Sequence, residues 1–201
     1  MQKKIEIIAN TIEDATKIAV SKLHVAEDKL FINEVGQNDE GKIYEALLDV
    51  NLALEGRKFL ESVLRNLGVE YTIQIRTIGR EEEIHYVIDS PENPLLIGSK
   101  GKTLEALQLL LKNLIGSYTK DHIIVSLDIG SYRAHRIQQL EILATKTAKS
   151  VARTKIAVKL QPMNSFERHV IHEKLAEWRD VYTESEGHGE ERAIVIKPKN
   201  K

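Results

Sequence analysis

The spacing of apolar and polar positions changes several times along the 201 residues, and each change predicts an element. Residues 4–9 alternate as a short strand, and Asn10-Thr11-Ile12-Glu13-Asp14 then offers a cap and first-turn acids for an amphipathic helix running to Leu23. Residues 29–35 and 43–54 read as two more strands around the turn-rich run Gly36-Gln37-Asn38-Asp39-Glu40-Gly41, so residues 1–53 make a βαββ unit. From Glu55 the period becomes helical. Phe59, Leu60, Val63, Leu64 and Leu67 share one side, and Gly68 is the stop. Residues 69–78 and 84–88 predict a hairpin about Gly79-Arg80-Glu81-Glu82-Glu83. Pro94-Leu95-Leu96-Ile97 fits a very short helix with proline in its first turn. After a glycine turn, Leu104, Leu107, Leu111 and Leu114 stripe a longer helix that Gly116 is expected to end, and residues 123–129 supply a third strand.

Beyond Gly130 the pattern predicts a long helix over residues 131–153, with Ile137, Leu140, Ala144, Ala148 and Val151 on one face. Lys146, Lys149 and Arg153 lie nearly opposite, as an ordinary solvated face or as a phosphate-contacting stripe. Residues 156–160 alternate briefly, and Asn164 and Glu167 fit a capping box on the next helix. There Arg168 and His172, four residues apart, share a face to which Arg179 is expected to return. Residues 181–184 and 192–196 form a hairpin ending in Lys197, Lys199 and Lys201. The expected fold class is α+β, with three small domains over residues 1–53, 55–130 and 131–201.

Charge separates these regions. Residues 1–94 carry 11 Lys+Arg against 18 Asp+Glu, whereas residues 131–201 carry 14 against 9. A polyanion partner is therefore expected at the C-terminal side, and a different, unknown protein partner for the acidic N-terminal module. The absence of cysteine excludes disulfides, thiolate metal sites and thiol nucleophiles, and fits a reducing cytoplasm. No apolar run reaches the length of a membrane span, so no membrane insertion is expected. Enzyme patterns fail too: His172-Glu173 meets Ala176 where a zincin needs histidine, and no Gly-x-Ser-x-Gly elbow occurs. His169 and His172 lack further convergent ligands, so no metal and no cofactor are expected.

The turn Gly98-Ser99-Lys100-Gly101-Lys102 has a phosphate-binding rationale. Gly98 and Gly101 allow close backbone approach, the following helix N-terminus favours an anion, and Lys100 and Lys102 add charge. A nucleotide P-loop is excluded, because Leu96 occupies the place of its first glycine. The order helix, strand, strand, short helix, Gly-x-x-Gly, long helix, strand resembles a bacterial-type (type II) KH domain, which implies a clamp on the backbone of unpaired RNA. In the C-terminal region the Arg168 fork can grip phosphate and His172 can donate or stack, while His172 also reads as a packed or capping histidine.

Pro162-Met163-Asn164, Glu167-Arg168, Ile171-His172, Thr183-x-Ser185-Glu186-Gly187 and Arg192-x-x-Val195-Ile196-x-Pro198 together resemble the Arg-x-x-x-His domain of the bacterial Jag family, also called KhpB or EloR. Tyr132-Arg133 with Arg136 matches the preceding helix, and residues 1–53 resemble the Jag N-terminal domain. The resemblance implies a single-stranded RNA-binding protein, with single-stranded DNA as an alternative ligand. It also implies an RNA chaperone or post-transcriptional regulator linked to cell elongation and envelope synthesis, and heterodimerisation with the small KH protein KhpA. It further implies contacts at Gly98, Ser99, Lys100, Gly101, Lys102, Arg168, His172 and Arg179, no catalytic residues, and only a short run near Glu55 where many members carry a long linker. The competing reading is a protein-interaction adaptor with a degenerate KH fold.

Overall fold

The computed structural model describes residues 3–39, 41–79 and 82–199. Glu40, Arg80, Glu81 and Lys201, which belong to expected turns and to the basic tail, lie outside the described residues. The chain is mixed α and β, and it divides into two compact units, Met1–Gly130 and Ser131–Lys201.

The first unit holds two three-stranded sheets. β1 (Lys4–Ala9), β2 (Leu30–Asn38) and β3 (Gly41–Leu48) form an antiparallel sheet in the order β1-β3-β2. Its inward residues alternate as a half-buried strand requires, so Ile7, Tyr44 and Ala46 meet Ala15 and Ala19 of α1 (Ile12–Leu23). Thr11 caps α1 by accepting the Asp14 N–H.

The expected strand over residues 43–54 is corrected here. β3 stops at Leu48, and α2 (Leu52–Asn66) starts because the Asn51 side chain accepts the Leu54 N–H at 2.9 Å. The run near Glu55 is consequently no linker. Glu55 lies in the first turn of α2, is only 8% exposed, and pairs with Lys29 from the preceding module and with Lys58. Burial alone would raise its pKa, but the two ammonium groups outweigh burial and hold it below the ordinary carboxylate value. Lys29 also donates to the Tyr118 hydroxyl at 3.1 Å, and Lys3 donates from its backbone to the Tyr118 carbonyl and from its ammonium to the Ser117 carbonyl. These contacts fasten the first sheet to the far end of α4 (Lys102–Tyr118).

In the second sheet, β4 (Thr72–Ile78) runs antiparallel to β5 (Glu83–Asp89), and β5 runs parallel to β6 (Ile124–Ile129). α2 and α4 pack together, and Leu60, Leu64, Leu104, Leu111 and Ile115 are fully buried with Ile84, Tyr86, Ile88, Leu127 and Ile129. Gly56 is required at the α2 crossing, since a Cβ there would overlap the Tyr86 hydroxyl, which donates to the Ala53 carbonyl. Gly116 does not end α4. The helix continues to Tyr118, whose burial rewards the extra half-turn.

The second unit is a sheet in the order β7-β9-β8 with two helices against it. α5 (Tyr132–Thr154) buries Leu140, Ala144, Ala148 and Val151 against Ile171 and Leu175 of α6 (Ser165–Leu175) and Ile194 and Ile196 of β9 (Ala193–Pro198). β8 (Val181–Glu186) pairs antiparallel with β9. The expected strand over residues 156–160 shrinks to β7 (Val158–Lys159), which has only two ladder partners. Among the described residues, no helix is long and apolar enough to cross a membrane.

Candidate nucleic-acid interface

The glycine turn joins α3 (Asn93–Ile97) to α4 through one turn of 3-10 helix, Ser99–Gly101. Gly98 adopts φ 71°, ψ −177°, a region open essentially to glycine alone. Its φ is not the only constraint, because a Cβ on Gly98 would overlap the Thr103 side chain and stand 3.1 Å from the Thr103 nitrogen. Lys100 (φ 53°) and Gly101 (φ 81°) also turn through positive φ. Gly101 is buried beneath the turn, while Ser99, Lys100 and Lys102 are exposed. The Gly101 and Lys102 amides donate inward to the Gly98 and Ser99 carbonyls, so what the turn offers an anion is its place at the positive end of α4.

α6 is set by its expected capping box: Asn164 accepts the Glu167 N–H at 2.9 Å, and the Glu167 carboxylate accepts the Asn164 N–H at 3.3 Å. Glu167 has a second task. Only 3% exposed, it accepts from the Arg136 guanidinium of α5 at 2.7 Å and so ties the two helices together. Arg168 is half-buried and donates to the Met163 carbonyl at 2.7 Å. His172, one turn on, lies between two hydroxyls of β8: Nδ1 is 2.6 Å from Thr183 Oγ1 and Nε2 is 3.2 Å from Ser185 Oγ. A neutral imidazole has one donor and one acceptor nitrogen, which two hydroxyls can match. Burial first, and then the neighbouring His169 and Arg168, lower the His172 pKa below its ordinary value. Beside the ring opens a cleft of about 440 Å³ lined by His169, His172, Glu173, Tyr182, Thr183 and Lys199 among others.

Arg179 is a correction. α6 ends at Leu175, so Arg179 falls in the bend before β8 and helical spacing from Arg168 no longer places it on that face. Arg168 and His172 do share it. The hydroxyl partners Thr183 and Ser185 and the Arg136–Glu167 tie were not identified as a site from sequence. Their period-two spacing on a strand facing α6 was the available signal for the hydroxyls.

Comparison with known proteins adds identity to this geometry. Residues 138–198 match the family model of the R-3-H domain, the domain named for its Arg-x-x-x-His motif. The RNA-binding protein KhpB of Clostridium symbiosum is 32% identical over 200 residues, covering 96% of this chain and 90% of the relative. The chain belongs to the KhpB, or Jag, family. Other KhpB relatives agree: the Bacillus subtilis protein is 25% identical over 208 residues, with 98% of this chain and 99% of the relative covered. The Lactiplantibacillus plantarum KhpB is 37% identical over 138 residues, 69% of this chain but 42% of that longer protein. Neither the Arg-x-x-x-His domain nor the KhpB family is an enzyme family.

Proposed function

We propose that this KhpB-family chain binds single-stranded RNA through two contacts, the Gly98–Gly101 turn and the Arg168/His172 face of α6. The observation that carries this reading is the turn itself: a glycine-only conformation at Gly98 sets exposed Ser99, Lys100 and Lys102 around the start of a long helix. The helix-strand-strand-helix-turn-helix-strand order from α2 to β6, with one antiparallel and one parallel strand pair, supports a type II KH domain over residues 55–130. The residues expected as 1–53, which in the structure end where α2 begins at Leu52, act as a Jag N-terminal domain, and residues 131–201 as the single-stranded nucleic-acid domain. On the family resemblance, the protein serves as an RNA chaperone or post-transcriptional regulator in the cytoplasm, linked to cell elongation and envelope synthesis and paired with KhpA.

The double variant Ser99→Asp/Lys100→Asp puts two anions where phosphate sits and leaves both glycines intact. Fluorescence anisotropy with an unstructured RNA is expected to show at least a tenfold loss of affinity, about 1.4 kcal/mol. Unchanged affinity in a folded double variant overturns the reading of the turn. Single-stranded DNA in the same titration discriminates the two nucleic acids through the missing 2′-hydroxyl.

A further inference from the structure

We propose that the C-terminal half of α5 is a cationic rail for the sugar–phosphate backbone of RNA, distinct from the Arg168/His172 face and indifferent to base sequence. The inference rests on the RNA-binding reading above and assigns a further site to the second unit. Between Glu141 and Glu167 the chain contains no acidic residue, yet it carries Lys146, Lys149, Arg153, Lys155 and Lys159. On α5, Lys146, Lys149 and Arg153 fall at helical spacing on one exposed face, opposite the buried Leu140, Ala144, Ala148 and Val151.

These three cations have no carboxylate partner among the described residues. Their condition contrasts with Lys4, Lys42, Lys58, Lys174 and Lys197, each of which holds a glutamate. The two acids that bound the acid-free span are already engaged, Glu141 by Lys174 and Glu167 by Arg136. Nothing nearby in sequence therefore compensates the positive face.

Lys146 to Arg153 spans about 10 Å of helix axis, a length over which duplex nucleic acid carries about six phosphates. Each cation consequently has an anion within reach. No aromatic side chain occurs between residues 142 and 154, so the face offers no platform on which a base could stack. Backbone charge is what it can read, in paired or unpaired RNA alike. An anionic membrane is the less suitable partner, because an interfacial helix inserts a broad apolar face, whereas most of that of α5 is buried in the core of its own unit and, of its large apolar side chains, only Ile142 and Leu143 are left exposed.

The test is the triple variant Lys146→Gln/Lys149→Gln/Arg153→Gln in the full chain, titrated with an unstructured RNA and with an RNA hairpin over a salt series. Glutamine suits an exposed helix, and circular dichroism verifies that α5 persists. The slope of log affinity against log salt is expected to become shallower by about 2 for the single strand and by about 3 for the hairpin, equally for different sequences. Charge-retaining Lys146→Arg/Lys149→Arg is expected to keep the original slope. An unchanged slope in the triple variant, with wild-type binding intact, overturns the rail and leaves the proposed function standing. A wild-type chain that binds no RNA overturns both. Loss of binding to phosphatidylglycerol vesicles with the RNA slope retained reassigns the face to membranes and overturns the rail.

Discussion

Gly98, Lys100 and Gly101 shape their turn through backbone conformation and leave Ser99, Lys100 and Lys102 at the surface, whereas Arg168 and His172 direct polar atoms to Met163, Thr183 and Ser185. At the turn the shape lies in the backbone, at Lys100 as well as at the two glycines, while the side chains that meet solvent are those of Ser99, Lys100 and Lys102. On α6 the two tasks fall on the same atoms. A guanidinium that already supports Met163 can offer a ligand only its remaining N–H groups, and an imidazole held between two hydroxyls offers mainly its ring. Substitutions therefore read out differently at the two places, as changes in binding at the turn and as mixed changes in stability and binding on α6.

The sharpest way to break that contrast is Glu167→Ala. It removes both the capping-box carboxylate and the buried partner of Arg136, and a loss of about 3 kcal/mol is expected in chemical denaturation of the second unit. A loss below about 1 kcal/mol would show that α6 does not depend on its side chains in this way. Next in size is Gly98→Ala, expected to cost about 2 kcal/mol in the first unit because alanine is strained at φ 71°, ψ −177° and its methyl meets Thr103. The comparison fails if Ser99→Asp/Lys100→Asp destabilises the first unit as much as Gly98→Ala does.

The smallest effect concerns pH. The pKa of His172 is lower in the folded chain than its ordinary 6.5, so the unfolded chain takes up that proton first as pH falls. Its contribution leaves stability at its full value above about pH 6.5 and erodes it below, until the folded imidazole protonates as well. His172→Gln can still donate and accept without titrating. Denaturation midpoints of that variant are expected to fall less than those of the wild type between neutral and mildly acidic pH.

Much of the order of elements was legible in the sequence, because period and caps report burial directly. Thr11, the Asn164–Glu167 box and Pro94 mark helix starts as expected. Asn51 did not: Val50, Leu52 and Leu54 alternate like a strand, and the pattern masked a cap whose bond to Leu54 N–H decides for helix. The helical spacing that led to Arg179 failed for a related reason. Spacing places a residue on a helical face only while the helix lasts, and α6 stops at Leu175. Along the site, sequence pointed to the pair Arg168 and His172 but not to the atoms that hold them. Met163 contributes a carbonyl, which every residue possesses, and Thr183 and Ser185 act from a strand that approaches α6 only through tertiary folding.

The fastening of the first sheet onto Ser117 and Tyr118 has a mechanical consequence. α4 spans 17 residues, about 25 Å, with the glycine turn at one end and this attachment at the other. A packed helix of that length behaves as a rod rather than a tether. A partner pulling on β1 or β2 would load the rod at its base, and the displacement would arrive at the turn as a tilt instead of being lost in slack chain.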